Sequence, residues 1–142
     1  MEYPALFESA GEGGFVVTFP DFGWGVTQGD TEEDAREMAA DALLTMLGEL
    51  IRQGEPLPRP SHPRGKRYRF IRVPAFGGAK AELYTAFLAS GIRKAELARR
   101  LGIPKTTVDR LFDFSNHTRL DQMEAAFAAL GKRLDIEVRD AA

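Results

Sequence analysis

The hydrophobic and polar positions in the first half of the chain follow the periods of a small sheet and one long helix. Alternating apolar and polar residues at 3–8 and 15–19 predict two strands, and the glycines between them supply the positive φ angles of a hairpin loop. A third strand is expected at 24–28 and a fourth at 68–73, after a loop at 59–66 that is rich in Pro and Gly. The predicted order of elements is β-β-β-α-β.

The helix lies between the third and fourth strands. Its apolar residues recur three, four, seven and eight positions apart, which is the spacing of one buried helix face. Asp30 or Thr31 is expected to cap its N-terminus, and Gly54 and Pro56 to end it. The residues predicted to cover the sheet are Ala35, Met38, Ala39, Ala42, Leu43, Met46, Leu47, Leu50 and Ile51.

A different pattern begins at residue 94, where twenty residues fit the helix-turn-helix template: KAELARRLGIPKTTVDRLFD. Ala98 falls where the two helices pack closest, and Gly102 falls at the sharp turn that needs an unusual backbone. Pro104 suits the first turn of the second helix. The motif predicts DNA binding, and the alternative is an ordinary helical hairpin. The positions predicted to face a small core are Leu97, Leu101, Ile103, Val108 and Leu111.

The second helix of the motif, residues 104–114, is predicted to enter the major groove with its N-terminus first. Lysine and arginine can bond guanine, and threonine can bond a base or phosphate and contact a thymine methyl group. The first helix crosses the DNA backbone, so phosphate contacts are expected there. A solvated helix face is the alternative for each charge. The candidates are Lys105, Thr106, Thr107, Asp109, Arg110 and Asp113 on the second helix and Arg93, Lys94, Arg99 and Arg100 on or beside the first.

The flanking patterns extend the motif to a five-helix domain. A short first helix is expected at 80–89, and Thr118 with Asp121 resembles a capping box for a last helix that stops at Gly131. Its apolar stripe is Leu120, Met123, Phe127 and Leu130. Alternation at 134–138 then predicts a strand, which we expect to pair with its own copy in a second chain.

This half resembles the Cro and phage-repressor class of DNA-binding domains. In that class the loop after the recognition helix also touches DNA. The resemblance adds Asn116 and His117 as weaker candidates for backbone contacts.

Charge divides the chain in two. Residues 1–60 carry twelve acidic and three basic side chains, a net charge of −9, and the remainder carries nine acidic and sixteen basic, a net charge of +7. A basic half suits phosphate binding, because neutralised phosphates release counterions. An acidic half is repelled by nucleic acid and attracted to basic proteins. Solvated acids without a partner are the alternative.

The N-terminal half, residues 1–73, resembles the antitoxins of the HicAB toxin–antitoxin systems. Family members often have a proline, a glycine and a cysteine in the turn that holds Phe22, Gly23, Trp24 and Gly25 in this chain, a departure that concerns the local binding surface. The segments that carry the resemblance are Gly13-Gly14-Phe15, Pro20-Asp21, Thr27-Gln28-Gly29-Asp30-Thr31 and Gly54-Glu55-Pro56-Leu57-Pro58.

The resemblance implies a partial, inactive RNase H-like fold that binds and blocks a small basic toxin of the HicA type. Such a toxin cuts mRNA, has a fold like that of double-stranded-RNA-binding domains and uses a catalytic histidine. The helix-turn-helix tail is one of two C-terminal types in the family, and it would bind the operator of the two-gene unit.

The toxin contact is expected where an aromatic anchor lies among acids that could pair with the toxin's basic side chains. These residues are Asp21, Trp24, Gln28 and Asp30. A core position on the third strand is the alternative for Trp24.

Together the patterns predict an α+β chain. A β-β-β-α-β partial RNase H-like domain at 1–75 is followed, after a hinge at 74–78, by an all-α helix-turn-helix domain at 76–142 that ends in a short dimerising strand. The oligomer is expected to be a dimer or a tetramer.

Composition restricts the chemistry. The chain has no cysteine, and His62 and His117 lie in different predicted halves, so we expect no catalytic residue, no metal site and no cofactor. An active RNase H-like nuclease would need several carboxylates at two metal ions, and the middle strand at 15–19 offers none. The first residues lack a basic, apolar leader pattern, and no apolar run approaches eighteen residues, so a cytoplasmic protein without a membrane partner is expected.

Two functions fit the sequence. In the first, the chain is an antitoxin that inhibits a HicA-type toxin and represses its own operon by binding operator DNA. In the second, it is a stand-alone helix-turn-helix transcription regulator whose N-terminal domain senses a small ligand or another protein.

Overall fold

The computed structural model describes residues 1–141, which form two compact units. The first unit is Met1–Gly78, and the second begins at Ala79. The chain has the mixed α and β content that its sequence predicts. Among the described residues, no helix is both long enough and apolar enough to cross a membrane.

The first unit contains a four-stranded antiparallel sheet. Its strands are β1 (Glu2–Ser9), β2 (Phe15–Thr18), β3 (Val26–Gly29) and β4 (Tyr68–Arg72), and their order across the sheet is β3-β2-β1-β4. All four predicted strands form, although β3 begins two residues later than expected, which leaves Trp24 before the strand. Since β2 and β1 occupy the centre, β3 and β4 are the edges of the sheet.

Helix α1 (Glu32–Arg52) covers one face of this sheet. The Thr31 hydroxyl caps it by accepting a hydrogen bond from the Asp34 amide at 3.1 Å, as predicted. Met38 is 47% exposed, so its predicted place in the core is wrong. The residues that α1 buries are Ala35, Ala39, Leu43, Met46 and Leu47, and the buried side chains of the sheet include Ala5, Phe7 and Val17.

The helix approaches the sheet closely at Gly29. A Cβ atom built on Gly29 would lie 2.3 Å from the backbone nitrogen of Ala35 and 2.6 Å from its Cα. Backbone atoms cannot move aside as the end of a flexible side chain can, so only glycine fits here. This contact sets the distance between β3 and the first turn of α1.

The second unit is helical. Its elements are α2 (Ala75–Ser90), α3 (Lys94–Leu101), α4 (Lys105–Phe112) and α5 (Leu120–Ala129), so the described part of this domain has four helices where five were expected. The predicted hinge at 74–78 is also wrong, because α2 begins at Ala75, within the first unit, and continues into the second.

Aromatic rings join α2 to the end of α4. Tyr84 and Phe87 both pack against Phe112, with ring centroids 5.5 and 5.1 Å apart. Of the predicted core positions, Leu97, Val108 and Leu111 are buried, and Leu101 and Ile103 are half-buried.

The last helix differs from its prediction at its N-terminus. Arg119, not Thr118, is the N-cap residue, and its amide donates to the Gln122 side chain at 3.2 Å. Leu120 is consequently outside the core and 58% exposed, while Met123 and Phe127 are buried as expected.

The predicted strand at 134–138 is absent from the single chain. Residues 132–141 have no regular secondary structure, and Ile136 and Val138 are largely exposed. The physical reason is that a strand requires a hydrogen-bonded neighbour, and no other strand of the described chain lies beside this segment.

We predict that Gly29→Ala destabilises the first unit by about 1–3 kcal/mol, because the added methyl group would overlap the backbone of Ala35. Gly78→Ala is the matched control, since its Cβ would lie 3.8 Å from the nearest atom. Urea unfolding followed by fluorescence of Trp24, the single tryptophan and a residue of the first unit, measures both variants. Equal midpoints for Gly29→Ala and the wild type would contradict the close packing of α1 on β3.

Candidate functional site

Exposed side chains follow the β3 edge of the sheet. We call Trp24, Val26, Gln28 and Asp30 the β3 surface. Trp24 is 46% exposed and Val26 is 68% exposed, which is unusual for residues of their size and apolarity. Gln28 and Asp30 are also exposed. The alternative that Trp24 is a core residue is therefore wrong.

The register of β3 explains this exposure. Thr27 and Gly29 pair with Val17 and Phe15 of β2, on the face that α1 covers. Val26 and Gln28 pair with Thr18 and Val16, so they lie on the opposite face. Strand alternation marks Val26 as exposed once the strand bounds are known, although the sequence analysis did not single it out.

Asp21, the fourth predicted toxin contact, is already engaged within the chain. Its carboxylate accepts hydrogen bonds from the Ser61 amide at 2.8 Å and from the Ser61 hydroxyl at 2.5 Å. These bonds hold the long connection between α1 and β4 against the turn that follows β2. Asp21 thus has a structural role in this unit, unlike the exposed Asp30.

Charge is distributed less simply than the sequence halves indicate. The first unit as folded carries twelve acidic and eight basic side chains, a net charge of −4, and the second carries nine acidic and eleven basic, a net charge of +2. The difference arises because Arg64, Lys66, Arg67, Arg69 and Arg72 belong to the first unit, on β4 and the loop before it. The acidic character therefore belongs to the β3 side and α1, while the β4 edge is basic.

In the second unit, α3 and α4 are joined by a tight connection at 102–104. Gly102 has φ 64° and ψ 34°, the left-handed conformation that the sequence predicted for it, and its amide donates to the Arg99 carbonyl at 3.2 Å. Pro104 is the N-cap residue of α4, one position earlier than expected. Asp113 and the residues after it lie outside the helix.

The predicted DNA contacts fall into two groups. Lys105, Thr106 and Arg110 are exposed on α4. Lys94 and Asp109 instead contact each other, with 2.6 Å between Nζ and Oδ1, so the first turn of α3 is tied to α4. Both side chains are about half exposed, and such a pair contributes little to stability.

A cavity of about 360 Å³ opens between α4, the 116–118 loop and α5. Its floor is apolar, with Leu101, Ile103, Leu111 and Ala125. Thr107, Arg110, Asn116 and His117 all line it, so the structure brings together four candidates that the sequence took from a helix and a loop.

Arg99 and Arg100 are committed to another group. Both guanidinium groups bond Glu96, at 2.6 Å from Arg99 and 3.1 Å from Arg100, and these hydrogen bonds lower the pKa of Glu96 to about 2. Arg100 also donates to the Ala129 carbonyl at 3.0 Å, linking α3 to the end of α5. Both guanidinium groups are therefore engaged within the second unit in the free protein.

Lys80 is the residue of this unit that sequence reasoning missed. It is fully buried, and its Nζ donates to the carbonyls of Arg110, Asp113 and Asn116. A signal existed in the sequence, because Lys80 lies four and seven residues before Tyr84 and Phe87, on the same helix face.

The described residues contain no cluster of three or more side chains suited to a metal ion. His62 stacks on Phe70, with centroids 5.9 Å apart, in the first unit, and His117 lies in the second. The two histidines therefore belong to different units.

Comparison with known proteins identifies the family. A family model described as the HicB-like antitoxin of bacterial toxin–antitoxin systems matches residues 2–82. The antitoxin HicB of Escherichia coli K12 is 42% identical over 136 residues, which cover 96% of this chain and 98% of that protein. Antitoxin HicB 1 of Photorhabdus laumondii is 38% identical over 138 residues, with 97% and 87% covered. The antitoxin HicB of Pseudomonas fluorescens is 38% identical over 113 residues, with 80% and 77% covered. The chain therefore belongs to the HicB-like antitoxin family of bacterial toxin–antitoxin systems.

Proposed function

We propose that the chain neutralises a HicA-type toxin through its first unit and represses its own operon by binding operator DNA through its second unit. The observation that carries the proposal is that one chain has both an exposed edge strand among acids, in its first unit, and a pair of short helices with a basic outer face, in its second. As a member of an antitoxin family, the chain has no enzymatic role.

The DNA-binding part of the proposal rests on α3, α4 and the turn between them. Their lengths, the left-handed Gly102 and the buried Leu97 and Val108 match what a helix-turn-helix needs. Residues 93–119 carry seven basic and three acidic side chains, so this part of the unit is more basic than the unit as a whole. We infer that α4 reads the major groove with Lys105, Thr106 and Arg110, and that Asn116 and His117 contact the backbone.

The Lys94–Asp109 ion pair would help this surface to discriminate between DNA sequences. Asp109 holds Lys94 in the free protein and would repel phosphates that approach α4. In the major groove this carboxylate could accept a hydrogen bond from the amino group of a cytosine. We therefore assign Lys94 to phosphate contact after release from Asp109, and Asp109 to base selection. Thr107 is half-buried and lines the cavity, so we assign its DNA contact to the opening of that cavity.

The toxin-binding part rests on the β3 surface. The outer side of the edge strand β3 offers backbone hydrogen-bonding groups to a partner. Exposed Trp24 and Val26 offer apolar area beside it. The acids of this side would attract a basic toxin. We propose contacts through Trp24, Gln28 and Asp30, with Asp21 shaping the surface through Ser61. The order of strands and the covering helix are compatible with a partial RNase H-like fold.

Self-association is the third part of the proposal. The segment 134–138 exposes Ile136 and Val138 on alternate positions, and a second copy of the same segment would supply the missing strand partner. Two copies related by a two-fold axis would match the two half-sites of an operator.

We predict that Arg110→Ala weakens operator binding by about 1–3 kcal/mol, because Arg110 is exposed on α4 and suited to bidentate contact with guanine. Binding to a scrambled duplex should change much less. The matched control is Arg99→Ala, whose guanidinium is held by Glu96. Titration of labelled duplexes at fixed salt measures all three proteins. Equal losses on both sequences would reduce Arg110 to a phosphate contact.

We predict that Asp30→Lys slows association with the cognate toxin about tenfold at low salt, because it places a cation on the surface that the basic toxin approaches. Asp41→Lys is the matched control: it makes the same change in net charge at an exposed position of α1. Association rates measured over a range of salt separate the local effect from that of overall charge. Similar rates for the two variants would argue against the β3 surface.

Removal of residues 133–142 is expected to give monomers by light scattering, because it removes the exposed alternating segment. Operator affinity should fall with the loss of the second half-site contact. An oligomer of unchanged mass after this truncation would show that another surface joins the chains.

A further inference from the structure

Lys80 is a buried cation in the middle of an otherwise apolar helix face. Its side chain is fully buried beneath the end of α4. The Nζ atom donates three hydrogen bonds, to the carbonyl oxygens of Arg110 at 2.8 Å, Asp113 at 2.7 Å and Asn116 at 2.8 Å. An ammonium group has three donors, and these bonds use all of them.

The three acceptors have a regular spacing. They lie three residues apart, so the chain winds around the ammonium group as it leaves α4. The Arg110 and Asp113 carbonyls also accept backbone bonds, from the amides of Asp113 and Asn116 at 3.3 and 3.1 Å. The ammonium group is therefore hydrogen-bonded to the start, the middle and the end of the segment 110–116.

Burial makes this arrangement costly unless it is fully satisfied. Desolvation lowers the pKa of Lys80 to about 8, and the charge of Asp113 opposes that change. The carbonyl ends of a helix carry partial negative charge, so the end of α4 is a favourable environment for a cation. A neutral side chain of similar size would leave three carbonyls without this donor.

The segment held by Lys80 joins one proposed base contact, Arg110, to the two proposed backbone contacts, Asn116 and His117. Arg110 lies at its start, and Asn116 and His117 lie at its end, around the cavity described above. The Asp113 carboxylate further fixes the segment by accepting from the Ser115 amide at 2.9 Å and the Ser115 hydroxyl at 2.7 Å. A change in the path of 110–116 would therefore move side chains on both sides of the cavity.

We propose that Lys80 is a positioning residue for operator recognition, which acts from the protein interior by holding the end of α4 and the 113–116 loop in the conformation that fits the DNA. This inference rests on the proposed operator binding. By this inference Lys80, which has no access to DNA, influences which DNA sequence the protein binds.

Lys80→Met tests the proposal in the full chain, because methionine keeps the volume but removes the charge and the donors. Lys132→Met is the matched control, the same substitution at an exposed position after α5. In Lys80→Met we expect amide exchange at 113–117 to accelerate at least about tenfold, while amides of α3 and α5 keep their protection. Operator affinity should fall about tenfold, and affinity for a scrambled duplex should change less than about threefold. Lys132→Met should match the wild type in each measurement.

Operator binding by the wild type and the action of Lys80 are tested by different outcomes. Failure of the wild-type chain to bind operator DNA would overturn the proposed function, whereas exchange at 113–117 tests the action of Lys80 without DNA. A loosened loop with unchanged operator affinity, or an unchanged loop, would overturn the role of Lys80. A general loss of amide protection in α2 to α5 would show that Lys80 only stabilises the fold, and it would overturn the positioning role.

A second measurement uses the wild-type protein. In NMR spectra the Lys80 ammonium protons should exchange slowly with water and show couplings across hydrogen bonds to the carbonyl carbons of residues 110, 113 and 116. Adding operator should shift the amides of 113–117 more than adding the scrambled duplex. An ammonium group that exchanges as fast as surface lysines, or equal shifts with both duplexes, would contradict the proposal.

Discussion

A sheet has two faces, and the first unit of this chain has one long helix with which to cover them. Helix α1 buries Ala35, Leu43 and Leu47 against one face, and the approach is so close that Gly29 cannot carry a side chain. The other face and the β3 edge keep apolar side chains in solvent, among them Trp24 and Val26. These exposed apolar side chains are the basis for the proposed partner surface. The antitoxin family implies a toxin partner, and we propose that the toxin binds this surface.

The second unit must stabilise two short helices that expose basic side chains. Helices of eight residues are unstable alone and depend on packing. Leu97, Val108 and Phe112 supply an apolar core, and Lys80 supplies a polar centre that fixes the chain where α4 ends. Opposite charges on the outer face are partly paired, as between Lys94 and Asp109, so that face is not a uniform cationic surface. Selective binding of DNA benefits from such pairing, because unpaired cations favour every sequence equally.

Sequence patterns predicted the elements well where local physics decides them. The strands, the Thr31 cap and the left-handed Gly102 follow from alternation, capping and backbone sterics, each of which acts within a few residues. The errors occur where distant contacts decide. The glycine pair at 77–78 indicated a hinge, yet it lies inside α2, where a Cβ on Gly77 would come within 2.5 Å of Leu44. The tail at 134–138 needs a second chain before its alternation can form a strand.

The candidate surfaces were predicted less completely than the fold. Arg110, Asn116 and His117 do line one cavity, but Lys80, which anchors the segment 110–116, depends on three contacts thirty or more residues away. Asp21 was grouped with Asp30 because both are acids near Trp24, and only the folded chain reveals that Ser61 occupies its carboxylate. Charge sums taken by sequence halves also missed the basic β4 edge of the first unit.

The central claim is that two separate surfaces of one chain bind toxin and operator. Hydrogen exchange on the full chain, measured free, with the cognate HicA-type toxin and with operator duplex, tests it most directly. The account predicts that the toxin slows exchange at 21–30 and leaves 105–117 unchanged, and that the operator does the reverse. Protection of 105–117 by the toxin with no change at 21–30 would contradict it.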